Sequence, residues 1–105
     1  MNLIPGQWAW IDCPRTPRVL ALGIDQLHGH VVQLVGLHPE APGGERQWVV
    51  DPPQKCKVPE DIHANGVSVR KGTVFNFEAV PEPYLRPFKD FPPEELRTLQ
   101  RELAS

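Results

Sequence analysis

Thr73-Val74-Phe75-Asn76-Phe77-Glu78-Ala79 is the stretch that decides the fold. Phe75, Phe77 and Ala79 fall on one side of an extended chain, and Val74, Asn76 and Glu78 on the other. That period of two is the mark of a half-buried strand, and it places both phenylalanines in the core. Val67-Ser68-Val69 precedes it across Arg70-Lys71-Gly72, so the two runs read as an antiparallel pair. Further back, Gln7–Asp12, Arg18–Ile24, His30–Leu37 and Arg46–Asp51 are short apolar runs of the same strand-like kind. Between them, Asp25–Gly29 reads as a turn and Pro39–Gly44 as a loop. Pro52-Pro53 closes the Arg46–Asp51 run, and Gln54–Asn65 is an irregular excursion ending in the Asn65-Gly66 turn signal.

Thirteen prolines in 105 residues is more than twice the usual ~5%. Proline has no N–H for a ladder or a helix interior, so these positions cut the chain into short elements with many corners. Short strands with turn signals about every 8–12 residues favour a mainly β domain. The expected fold is a small SH3-like antiparallel barrel, with an OB-like barrel as the alternative. The chain ends differently. Asp90 is a natural N-cap, Pro92-Pro93 suits a first helical turn, and Glu94-Glu95 faces the positive end of the dipole. Leu96, Leu99 and Leu103 recur at i, i+3 and i+7, so one C-terminal amphipathic helix is expected. The division is a barrel domain over residues 1–88 and a helix within 89–105, packed on the barrel or on a partner.

Eleven Lys+Arg stand against 13 Asp+Glu, a net charge of −2, which argues against a protein that coats nucleic acid through a strong cationic field. No apolar run approaches the ~20 residues of a membrane span. Residues 1–6 lack the basic start and apolar stretch of a secretory leader, and Cys13 and Cys56 form no close-spaced pair. A cytoplasmic protein with reduced thiols and no membrane association is expected.

The order of motifs resembles a known family. The chain carries Pro5-Gly6-Gln7-Trp8-Ala9-Trp10-Ile11, then Gly29-His30-Val31-Val32-Gln33-Leu34-Val35-Gly36, then Trp48-Val49-Val50. It closes with Ala79-Val80-Pro81-Glu82-Pro83-Tyr84-Leu85-Arg86-Pro87-Phe88. This is similar to small phage- and plasmid-encoded proteins with an SH3-like barrel that end in a Leu-Arg-Pro signature. Gln7 stands where those proteins commonly have an acid, and the Gln54–Asn65 excursion and the final helix depart from their pattern. The resemblance implies a fold and a mobile-element origin, and no activity.

Catalytic constellations are not legible. Serine occurs only at Ser68 and Ser105, neither placed beside a base. Cys13 follows Asp12, whose charge raises a thiol pKa, whereas Cys56 lies between Lys55 and Lys57, which would lower it. His28-Gly29-His30 puts two imidazoles on one side of an extended segment, but with His38 and His63 it completes no zinc set. Pro42-Gly43-Gly44-Glu45 lacks the Gly-Lys-Ser/Thr of a phosphate loop. No enzyme, no cofactor and no metal site are expected.

What remains is binding. Trp8, Trp10 and Trp48 are a surplus of large aromatics, and period two puts Trp8 and Trp10 on one face with Ala9 and Ile11 on the other. Both faces of that strand are then apolar, so one is open to a partner or to the C-terminal helix. The first expectation is a non-enzymatic protein-interaction module, an inhibitor of a host or defence protein being one form of it. The alternative is a nucleic-acid-binding barrel that stacks bases on Trp48 beside Arg46, Lys55, Lys57, Arg70 and Lys71. A structural joint in a virion or secretion assembly, self-associating through the final helix, is a third reading.

Overall fold

The computed structural model describes residues 3–39 and 45–90. The expected C-terminal helix, with Leu96, Leu99 and Leu103, lies outside the described residues. Among these residues there are seven strands: β1 Trp8–Ile11, β2 Val31–Leu37, β3 Gln47–Lys57, β4 Ile62–Ala64, β5 Val67–Val69, β6 Val74–Pro81 and β7 Leu85–Pro87. The short helix α1 Pro17–Leu22 and single 3-10 turns at Ile24–Leu27, Glu82–Tyr84 and Phe88–Asp90 join them. The protein is therefore mainly β, with antiparallel pairing throughout. Among the described residues no helix is long and apolar enough to cross a membrane.

Five strands form one sheet in the order β6-β3-β2-β1-β7, and β4 and β5 form a separate hairpin. The core lies on one face of the large sheet. Ala9 and Ile11 of β1, Val32 and Leu34 of β2, Trp48 and Val50 of β3, and Leu85 of β7 are buried there together. Val19 of α1 and Leu27 cover them, with Phe75 and Phe77 of β6 packed at the edge.

Three expectations need correction. Arg18–Ile24 is not a strand. Thr16 accepts a hydrogen bond from the Val19 N–H as N-cap, Pro17 takes the first helical position, and Gly23 closes the helix at φ +78°. Those capping signals outweigh the apolar run they flank. Pro52-Pro53 does not end β3, which runs on to Lys57. Between the Trp48–Val80 and Gln54–Phe77 pairs β3 uses three more residues than β6, and the prolines sit in that bulge, where no ladder N–H is needed. Past the bulge Val80 is buried opposite Trp48, while Phe75, Phe77 and Ala79 are alike half-buried and Val74, Asn76 and Glu78 exposed, as the alternation predicts. Lastly, β5 pairs with β4 across Asn65-Gly66, not with β6. Both turn residues have positive φ, 51° and 77°, the conformation of a two-residue hairpin loop.

Candidate functional site

β1 has two apolar faces, as its alternation requires, and they meet different fates. Ala9 and Ile11 are fully buried in the core. On the other face Trp10 is buried, its ring edge-on to His28 with centroids 5.9 Å apart and the final 3-10 turn packed beside β1. Trp8, on the same face, is 52% exposed. Register places Trp8 opposite Gln33 of β2 and Gln33 opposite Asp51 of β3.

Next along β2 is an irregularity that the sequence did not announce. Leu34 pairs with Val50 and Gly36 with Val49, so Val35 is the extra residue of a bulge. It is 57% exposed. Val35 stands two residues beyond the partner of Trp8, a diagonal separation of about 7–8 Å that a tryptophan ring spans. Ile4, also exposed, heads the turn into β1. That turn is tied to β2 by Gly6 N–H to the Leu34 carbonyl and Leu34 N–H to the Gln7 carbonyl, at 2.6 and 2.8 Å. The Gln33 side chain donates to the Gly6 carbonyl at 3.1 Å. Trp8 and Val35 thus mark an apolar outer surface at one end of the sheet, with Ile4 exposed on the braced turn that precedes β1 and with Gln33 and Asp51 beside Trp8 in register.

The remaining proposed binding residues are scattered. Trp48 is 3% exposed and its indole N–H is given to Glu82, so it offers no ring face to a base. Trp10 likewise is no surface residue. Lys55 and Lys57 are exposed at the far end of β3. Val58 N–H to the Thr73 carbonyl, with Gly72 N–H to the Val58 carbonyl, brings Arg70-Lys71 beside them. Arg46 adjoins Glu82 at the opposite end of β3. Along β6, which covers the same stretch without the bulge, about 3.3 Å per residue puts Arg46 roughly 20 Å from Lys55, the nearest of the other four cations in the register.

The thiols are the reverse of activated. Cys13 is pushed up to about 11, chiefly by burial and then by Asp12 and Asp25. Burial, with Asp25, also raises Cys56. The neighbouring lysines do not lower it, because alternation sends Lys55 and Lys57 to the outer face while Cys56 faces the core. Each sulfur donates to a carbonyl beside Gly23, Cys13 to Ile24 at 3.5 Å and Cys56 to Leu22 at 3.6 Å. The histidines diverge as well. His28 Nδ1 accepts the Cys13 N–H at 3.2 Å, so the neutral ring carries its proton on Nε2. His30 Nδ1 meets Gln54 Oε1 at 2.8 Å, and His63 Nδ1 meets Ser68 Oγ at 3.0 Å. Among the described residues no three His, Cys, Asp or Glu side chains gather as metal ligands.

Comparison with protein-family models, with curated proteins and with solved structures finds no match. The outer surface around Trp8 therefore has to be interpreted from its own chemistry.

Proposed function

We propose that this protein is a non-enzymatic protein-interaction module that binds through the outer face of its sheet at Trp8, Val35 and Ile4. The single observation that carries the proposal is Trp8, more than half exposed on a strand whose other three side chains are buried. A tryptophan on rigid, hydrogen-bonded backbone gives a large contact area with little entropy to lose, which is why this residue dominates binding hot spots. Val35, lifted out by its bulge, widens that anchor. Arg86 of β7, opposite Trp10, is the cation that the β1 register brings to this face, and its guanidinium is paired with Asp12 at 3.1 Å, which favours an apolar protein interface over phosphates.

The fold belonging to this proposal is a partly open SH3-like barrel. It is supported by the strand order β6-β3-β2-β1-β7 and by the 3-10 turn Glu82–Tyr84 just before the closing strand. With the Leu85-Arg86-Pro87 signature, that order supports a place beside the phage- and plasmid-encoded proteins. Inhibition of a host or defence protein in the cytoplasm is then the role we assign.

The test is affinity capture from bacterial lysate with wild type, Trp8→Ser and Val35→Asp, each with and without nuclease. We expect a stoichiometric protein that survives nuclease and is lost from both variants. Recovery that collapses with nuclease, or that both variants retain in full, overturns the proposal.

A further inference from the structure

The side of the sheet opposite Trp8 holds a second feature. Phe75 and Phe77 pack against the core yet remain only half-buried, as does Leu22 at the end of α1. Between β6, α1 and Tyr84 lies a cleft of about 410 Å³, its wall formed by Val19, Leu22, Phe75, Phe77 and Ala79. We propose that this cleft is a binding site for a small, uncharged, planar molecule of one or two aromatic rings.

Three properties point to that class. The first is size. Small-molecule pockets begin at roughly 300 Å³, and an apolar cavity of roughly 150 Å³ already admits benzene. The second is the shape of the wall. The Phe75 and Phe77 rings lie 6.4 Å apart and tilted by 40°, and with Tyr84 they offer faces and edges for the offset contacts that aromatic rings adopt. The third is charge. The lining is mainly apolar, with Thr16 and Gln47 neutral and polar, and its charged residues are Arg18 and Glu45, of opposite sign, so neither an anion nor a cation is selected. A charged ligand would lose its hydration against the phenylalanines and meet a like charge beside any counter-ion. Tyr84, whose phenol burial raises above its ordinary value near 10, supplies one neutral hydrogen-bonding hydroxyl for a ring substituent.

The cleft and the Trp8 surface lie on opposite faces of the sheet, so the two proposals stand or fall separately. The probe is 6-propionyl-2-(dimethylamino)naphthalene, uncharged, planar, of two fused rings and brighter in apolar surroundings, titrated into the full chain. Its anionic relative 6-(dimethylamino)naphthalene-2-sulfonate serves as the charge control. We expect saturable one-to-one binding of the neutral probe, at least tenfold weaker binding of the sulfonate, and at least tenfold weaker binding of the neutral probe to Ala79→Leu. Trp8→Ala should bind it as wild type does. Because Ala79→Leu can disturb the edge of the core, the site is also mapped in the wild type by chemical-shift changes. Shifts centred on Leu22, Phe75 and Phe77 support the cleft. Absence of saturable binding, equal or tighter binding of the sulfonate, or shifts centred on Trp8 and Val35 overturns it.

Discussion

Trp48 donates its indole N–H to the Glu82 carboxylate across 2.8 Å and so couples β3 to the turn that precedes the closing strand. The same two segments are joined again by Glu82 N–H to the Arg46 carbonyl at 2.8 Å. Trp48 is buried, and Glu82 is the acceptor its indole N–H meets among the described residues. Glu82→Ala therefore leaves a buried donor unsatisfied, at a cost of about 1–3 kcal/mol. For a domain of this size each kcal/mol moves the melting temperature by about 4–8 °C. Glu82→Gln keeps an acceptor oxygen and should recover most of the loss. Thermal unfolding of both variants checks this, and an unchanged melt for Glu82→Ala would show that the bond contributes nothing.

Gly23 permits a close backbone approach between α1 and β3. Its φ is +78°, and a Cβ there would lie 2.2 Å from the Lys57 carbonyl oxygen, which is backbone and cannot swing aside. That carbonyl is also held by Gln26 Nε2 at 2.7 Å, while Lys57 N–H donates to Gln26 Oε1 at 3.0 Å. Gly23→Ala combines a left-handed backbone penalty of about 1–2 kcal/mol with overpacking of about 1–3 kcal/mol. Loss of about 2–5 kcal/mol is expected in denaturant unfolding. Gly72→Ala, where the added carbon meets nothing within 4 Å, should lose only the backbone part.

Buried thiols set an alkaline limit. Cys13 rises from 9.0 to about 11 on folding, and burial raises Cys56 and Tyr84 as well. Above pH 9 the unfolded chain releases the Cys13 proton while the folded chain keeps it, so the native state binds more protons and stability falls as pH rises. Below the unfolded value the contribution is complete; it is lost progressively between about 9 and 11. Melting temperatures recorded from pH 8 to 11 should decline, and Cys13→Ala should decline less steeply from a lower start. Equal slopes would remove Cys13 as the cause.

How far the sequence discloses the structure depends on the range of the deciding interaction. The alternation of Phe75 and Phe77, the Asn65-Gly66 turn and the two-faced β1 are local patterns, and the structure keeps all three. Arg18–Ile24 was also local, but its apolar run is shared by helix and strand, and only Thr16, Pro17 and Gly23 distinguish them. The path of β3 through Pro52-Pro53 depends on a bulge whose register is fixed by β6, far along the chain. The Val35 bulge depends in the same way on Val49 and Val50. Of the candidate site, Trp8 was legible by residue type. Its neighbour Val35 was not, because nothing within β2 marks which valine the pairing leaves out. Trp48 could be set apart from the surface only once Glu82 was known to accept its indole N–H.

The two tryptophans of β1 give the sharpest contrast. They are two residues apart on one face, yet Trp10 is 6% exposed and Trp8 is 52% exposed. Trp10 packs edge-on to His28, whose Nδ1 in turn receives the Cys13 N–H, so its ring is part of the layer covering the outer face of β1. Trp10→Ala should cost about 3–5 kcal/mol, the usual loss for a buried large aromatic. Trp8→Ala touches no such layer and should change stability by less than about 0.5 kcal/mol, while removing the partner identified by capture. Chemical denaturation of the two variants side by side tests the stability half, and binding at matched folded concentration tests the other. A Trp8→Ala chain destabilised as much as Trp10→Ala would make Trp8 a packing residue and withdraw the outer face as an interface.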